Sequence, residues 1–176
     1  MRKLSFIVPV AVVLIALFMS TVFIVDERNK ALVLQFGRVV AVKEDPGLAF
    51  KIPFIQEVVF YDDRILSRDV DPLEVTPLDD RRLVVDAFTR YRITDVNQFR
   101  EAVGTGGVQV AESRLDSILK SEMREVLGSV SSNDILSSDR AVLMSRIRNA
   151  AIEKALPLGI EVVDVRLKRT DLPRAN

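Results

Sequence analysis

Residues 82–93, RLVVDAFTRYRI, decide the fold. Leu83, Val85, Ala87, Tyr91 and Ile93 share one side of an extended chain, and Asp86, Arg90 and Arg92 share the other; Val84 and Phe88 break the pattern. A period of two, rich in β-branched and aromatic residues, marks a strand with one buried face. Just before it, Pro72, Pro77, Asp79 and Asp80 predict a loop or hairpin end. Further upstream, residues 31–36 (ALVLQF) read as a strand that stops at Gly37, with a continuation over 39–42. Asp45, Pro46 and Gly47 supply a turn, because proline presets φ and glycine takes the positive φ that follows. Short strands are expected at 48–52, stopped by Pro53, and at 58–61, broken by Asp62 and Asp63.

Downstream of Ile93 the period changes. Residues 95–103 predict a short helix, capped by Thr94 or Asp95 and closed at Gly104. The glycine cluster at 104–107 separates it from a longer helix over 108–127. There Ala111, Leu115, Ile118, Leu119, Met123, Val126 and Leu127 form an apolar stripe that Glu122 interrupts. Asp116 and Lys120 are expected to pair at i,i+4 on the wet face. A third helix, 139–155, is expected to bury Val142, Leu143, Ile147 and Ala151 and to end at Pro157 and Gly159. A last strand over 160–168 places Val163, Val165 and Leu167 on one side. Strands first, then helices, then one strand predicts an α+β fold with a mostly antiparallel sheet and helices packed on one face, and not a doubly wound one.

The N-terminus is of a different character. Residues 4–25 carry no charge, and only Ser5, Pro9, Ser20 and Thr21 interrupt the apolar run. As a helix the run is roughly 33 Å long, enough for a hydrocarbon core of about 30 Å. It is longer than the apolar region of a signal peptide and lacks a small-x-small cleavage site, so it is read as a single transmembrane anchor. Arg2 and Lys3 precede it, whereas Asp26, Glu27, Arg28 and Lys30 roughly cancel after it. The positive-inside rule then places residues 1–3 in the cytoplasm and the domain, 26–176, on the far side of the bilayer.

Composition removes most chemistry. The chain has 176 residues with neither cysteine nor histidine. Thiol–imidazole and serine–imidazole nucleophile systems are excluded, as are zinc sites built on imidazole or thiolate. Acidic and basic residues balance at 25 each, without the concentrated basic surface that nucleic acid requires. The glycine cluster at 104–107 lacks a third glycine at dinucleotide spacing and no Gly-Lys-Ser/Thr follows it, so it reads as a connector. Asp62 with Asp63, and Asp79 with Asp80, are neighbours that point to opposite faces of extended chain; they read as solvated turn residues rather than acid–base pairs. A serine–lysine dyad is singled out by no spacing. No catalytic, cofactor-binding or metal-binding residue is therefore expected, and no cofactor.

One segment stands out. Phe36-Gly37-Arg38 and Pro46-Gly47-Leu48-Ala49-Phe50-Lys51-Ile52-Pro53-Phe54 form a run of short strands, prolines and aromatics directly after the anchor. Its location suggests a rigid β-layer held near the headgroups, but aromatics on short strands are usually packed, so Phe50, Phe54 and Phe60 are expected in the core.

This run resembles the entry to the band-7, or SPFH, family of stomatins, prohibitins, flotillins, HflK and HflC. The resemblance continues through residues 58–64, through 83–93 with Thr94-Asp95, and through Leu119-Lys120-Ser121-Glu122-Met123-Arg124. It ends with residues 158–168 (LGIEVVDVRLK) ahead of Leu172-Pro173. Residues 102–107 (AVGTGG), and an anchor that begins at residue four, are most similar to the HflC branch. The resemblance implies an SPFH domain that serves as a scaffold without catalysis of its own, in a bacterial inner membrane with the domain periplasmic. It also implies an HflK-like partner subunit, a large hetero-oligomer and restraint of the membrane protease FtsH. Two alternatives follow from other features: a stomatin-like membrane-organising homo-oligomer with no protease partner, and a serine–lysine hydrolase. Family members continue past the position of Asn176 with a long charged helix and a C-terminal segment, so the chain is expected to be a shortened member or a fragment.

Overall fold

The apolar N-terminal run is helical only as far as Thr21. In the computed structural model, which describes residues 4–136 and 140–171, helix α1 spans Leu4–Thr21 and the next four residues, Val22–Val25, form strand β1. Val, Phe, Ile and Val are strand formers, and they pair antiparallel with β4 (Gly47–Phe50), Val22 opposite Phe50 and Ile24 opposite Leu48. The helix end is fixed locally. The Thr21 hydroxyl donates to the Leu17 carbonyl at 2.9 Å, and the Lys51 amide donates to the Thr21 carbonyl at 2.7 Å. Among the described residues no helix is long and apolar enough to cross a membrane.

The chain divides into two units, at Asp63 and Arg64. The first holds α1, the β1–β4 ribbon and a sheet in which β2 (Asn29–Gln35) lies between β3 (Arg38–Lys43) and β5 (Gln56–Asp62), all antiparallel. As a central strand β2 is buried on both faces at Ala31, Leu32, Val33 and Leu34. Val25, Ala31 and Ala49 form a small core, with Phe23 and Val58 packed against it. The β2–β3 hairpin turns on Phe36 at φ 50° and Gly37 at φ 80°. Two consecutive positive φ values are the two-residue turn whose twist matches a hairpin.

In the second unit a sheet of order β6–β7–β8 carries the helices on one face. Strand β7 (Leu83–Ile93) is the expected alternating strand, with Leu83, Val85, Ala87, Tyr91 and Ile93 buried. Thr89 joins them, its hydroxyl bonded to the Asp164 carbonyl at 3.2 Å. Residues 76–82 form the expected hairpin end, but the strand that leads into it, β6 (Leu66–Val75), is ten residues long, pairs to β7 and takes in Pro72. Pro72 is tolerated there because it sits in a register shift between Val70 and Leu73, on an edge strand. Strand β8 (Ile160–Asp171) carries a second correction: it buries Val162 with Val165 and Leu167, while Val163 faces out. The register shifts opposite Arg90 and Tyr91, and the extra residue reverses the alternation.

Helix α2 (Val96–Val103) starts at Asp95, whose carboxylate accepts the Gln98 amide at 2.9 Å. Helix α3 (Gly107–Gly128) packs over β6; α4 (Ser132–Leu136) is a single turn, and α5 (Arg140–Ala155) packs over β8. Residue 139, where the third helix was expected to start, lies outside the described residues. Leu143, Ile147 and Ala151 are buried as expected, but Val142 is 62% exposed. It lies a hundred degrees around the helix from Leu143, a helix turning by about 100° per residue, and so misses the sheet. Gly159 at φ 69° makes the turn into β8; its carbonyl accepts from the Thr94 and Asp95 amides at 3.1 and 3.3 Å.

Candidate functional site

The acidic pairs resolve into structural roles. Asp63 lies 3.1 Å from the Lys30 ammonium. Asp79, expected to be solvated, caps α4: its carboxylate accepts the Ser132 amide at 3.1 Å and the Ser132 hydroxyl. The Ser132 hydroxyl bond holds its carboxyl below the usual carboxylate range. Serine hydroxyls with described partners donate to carbonyls or carboxylates, as with Ser117 to Ser113, Ser145 to Ala141 and Ser131 to Asp134. Among the described residues no group of three or more acids could hold a metal ion.

The expected Asp116–Lys120 pair is not formed. Asp116 is buried and reaches Arg68 of β6 at 3.4 Å, while Lys120 reaches Asp71 at 2.8 Å. Arg68 also lies 3.3 Å from Glu112, which accepts the hydroxyl of the fully buried Tyr91 at 2.9 Å. Burial pushes the Asp116 carboxyl up, against the pull of Arg68. It pushes the Tyr91 hydroxyl above its ordinary value as well, with Glu112 adding to the shift. Glu122, the interruption in the α3 stripe, is buried beside the Lys154 ammonium. These groups tie α3 to the sheet and to α5, and they face packed elements rather than a cleft.

The unusual surface lies in the first unit. The outer face of the β1–β4 ribbon is apolar, with Ile24 and Leu48 opposite each other and Phe50 beyond. Phe36 and Phe54 are 85% and 94% exposed, and both hold a non-glycine backbone at positive φ, 50° and 66°. For a residue with a Cβ that conformation costs roughly 1–2 kcal/mol, and such strain collects at functional positions. Hydrogen bonds bring the two tips together. Gln35 is paired with Gln56, and the Gln56 side-chain oxygen accepts the Ile52 amide at 2.8 Å while the Gln56 backbone amide donates to the Ile52 carbonyl at 2.9 Å. Lys51, one residue earlier, is bonded to Thr21. The Phe36 tip, the Phe54 turn and the apolar ribbon therefore meet at the C-terminal end of α1, where Phe18 and Met19 are exposed too.

This overturns the core reading of three aromatics. Phe54 is fully presented, Phe50 is 67% exposed, and Phe60 keeps a half-exposed ring against the edge of Phe23 at 6.2 Å. Phe36, expected at the end of a strand, lies one residue past β2 in the hairpin turn. Its place before a glycine, between two strands, was the available signal for a turn.

The chain matches the model of the SPFH domain / Band 7 family over residues 23–176. It is 30% identical to Protein HflC of Haemophilus influenzae, over 96% of this chain and 60% of that protein. It is 31% identical to the Modulator of FtsH protease HflC of Escherichia coli (strain K12), over 98% of this chain and 65% of that one. To Protein HflC of Vibrio parahaemolyticus it is 28% identical, over 98% and 64%. The chain thus spans about three fifths of the length of these curated relatives. The Escherichia coli alignment runs over 218 positions, more than the 176 residues here, so that relative carries residues with no counterpart in this chain. With a family model covering most of its length and HflC proteins aligned along nearly all of it, the chain belongs to the SPFH domain / Band 7 family as an HflC-like member.

Proposed function

We propose that this protein is a membrane-anchored, non-catalytic regulator of the membrane protease FtsH that acts together with an HflK-like subunit. The observation that carries the reading is the alignment of 96–98% of the chain with HflC proteins, one of which is named as a modulator of that protease. A chain without histidine or cysteine fits a regulator better than an enzyme.

In this proposal the apolar run from residue 4, helical to Thr21, anchors the chain once in a bacterial inner membrane, with the N-terminus cytoplasmic and the domain periplasmic, while residues 22–25 belong to the ribbon. Arg2 and Lys3 support the orientation. The apolar surface at the end of α1 supports the placement. Phe36, Phe50 and Phe54 would be costly to leave in water and favourable at a bilayer interface, where burying an aromatic side chain is worth about 1.5–3 kcal/mol. The ribbon and its two tips would then seat the domain on the membrane at the helix exit, and the domain would present partner surfaces to an HflK-like subunit in a large hetero-oligomer.

Affinity purification of the full-length protein from its native membrane in mild detergent tests this. Recovery of FtsH and an HflK-like subunit is expected. Recovery of neither, with the protein assembled on its own, would instead indicate a membrane-organising homo-oligomer of the stomatin kind.

A further inference from the structure

A groove runs between the start of α5 and the outer edge of β8. It encloses about 390 Å³, within the range of ligand sites, about 300–1,000 Å³. Arg140, Met144 and Ser145 line its helix side, and residues 164–167 line its strand side. Strand β8 is an edge strand, with β7 on one side only. The Arg140 guanidinium donates to the Leu167 carbonyl at 2.6 Å, which marks that carbonyl as turned to α5 and not to β7. Backbone groups alternate along an antiparallel edge, so Val165 as well as Leu167 presents its N–H and C=O to the groove. Such a row is a template for an added strand.

The groove is positively charged. Among the described residues the one acid in its lining is Asp164, and Arg166 of the same strand holds it at 2.7 Å. Arg140 is bonded to a carbonyl and to no described carboxylate. Arg148, further along α5, has a buried Nε without a hydrogen-bond partner. A helix turns by about 100° per residue, so Arg148 stands between Met144 and Ser145 around α5, on the flank that faces the groove. Lys154, which pairs with Glu122 of α3, lies on the other flank. Arg140 and Arg148 are about 12 Å apart along the helix axis. Residues i and i+4 of a strand are about 13 Å apart and share a face. A strand laid in the groove with acids at i and i+4 therefore meets both arginines.

We infer that the groove between α5 and β8 binds an extended acidic segment of a partner protein. The segment adds to the sheet beside β8, with carboxylates four residues apart on Arg140 and Arg148. Backbone pairing supplies the attachment, and the arginines supply the selection, because a guanidinium holds a carboxylate by two parallel bonds. Two segments of this chain itself are unsuited. Residues 172–176, LPRAN, carry no acid. On the opposite edge strand β6, Asp69 and Asp71 are already held by Lys168 and Lys120, at 2.5 and 2.8 Å. The inference stands whether or not the protein acts on FtsH.

The test is the binding of a fluorescent peptide to the detergent-solubilised full chain, read by anisotropy. The peptide is a short alternation of valine and threonine with glutamates four residues apart. Saturable binding is expected, weakened about tenfold or more when lysines replace both glutamates. N-methylation of alternate amides is expected to abolish binding on one edge of the peptide and to leave it intact on the other. Neither change touches the protein, so folding does not enter. Arg140→Glu is expected to weaken the acidic peptide about tenfold, and to improve binding of a peptide with lysine in place of the glutamate that faces it. Ser145→Cys places a single thiol in a chain without cysteine; carrying a benzophenone, it is expected to crosslink to the peptide. No saturable binding, equal binding of the lysine peptide, indifference to N-methylation on both edges, or crosslinks formed only within the chain or to a second copy would each overturn the inference.

Discussion

Gly159→Ala is expected to be among the most damaging single-methyl changes in the second unit. A Cβ at this position would stand 2.4 Å from the Asp95 carbonyl oxygen, 2.7 Å from the Phe99 amide nitrogen and 3.2 Å from the Phe99 Cα. These are backbone atoms of the cap and first turn of α2, and they cannot rotate away as a flexible side chain could. The turn into β8 would have to retreat, stretching the bonds from the Thr94 and Asp95 amides to the Gly159 carbonyl. The φ of 69° adds the left-handed penalty of roughly 1–2 kcal/mol for a residue with a Cβ, and forcing a methyl into packed backbone adds about 1–3 kcal/mol. A loss of roughly 2–5 kcal/mol follows, the sum of these two contributions. That is a large part of the stability of a domain of this size. Urea denaturation in detergent, followed by far-ultraviolet circular dichroism, reads it. Gly159→Asn separates the causes, because asparagine accepts left-handed backbone yet keeps the Cβ. It is expected to be nearly as damaging as alanine. An asparagine variant close to wild type would refute the close-approach argument and leave only backbone strain.

Three further outcomes are expected. Phe54→Trp gives a single indole, since the chain has no tryptophan; in proteoliposomes its emission is expected to shift to the blue and to be quenched by brominated lipid, and solvent-like emission would remove Phe54 from the interface. Asp116→Asn is expected to leave the melting temperature unchanged or raised at neutral pH: burial lifts the native carboxyl above its unfolded value, so the native state holds the proton more tightly. Stability from that source falls as pH rises from about 3.8 through the lifted native value, and the variant's pH profile is expected to flatten there; a sharply lowered melting temperature at neutral pH would show that the Arg68 contact outweighs burial. Asp79 has the opposite sign. Its carboxyl is held low by Ser132, so its contribution is present above the ordinary carboxylate range and is lost as pH falls through its depressed native value, whereas Asp79→Asn is expected to lower the melting temperature at neutral pH and to lose that acid sensitivity.

What could be read from sequence follows from periodicity. Leu83 to Ile93 alternates because one face of β7 meets helices and the other does not, and the long helices announce themselves by stripes at helical spacing. Strand β6 was hidden because Pro72 and the acids Asp69, Asp71 and Glu74 mimic a loop, and only pairing to β7 around a register shift makes it a strand. The inward turn of Val162 is equally invisible, since one bulge residue reverses a pattern without changing composition. Asp116 looks like half of a surface pair until β6 delivers Arg68, 48 residues away, beneath the helix. The aromatic surface was legible as a location but not as an exposure. Positive φ at Phe36 and Phe54 is a non-glycine conformation that no local propensity favours, and it is what turns both rings outward.

If the protein regulates FtsH as proposed, the half-life of a membrane substrate of that protease reads the effect directly. Cells of the source organism with and without the gene are compared by pulse–chase. Deletion is expected to change the half-life, with reversal by the wild-type protein and poor reversal by Gly159→Ala. An unchanged half-life, with FtsH and an HflK-like subunit both present, would contradict it.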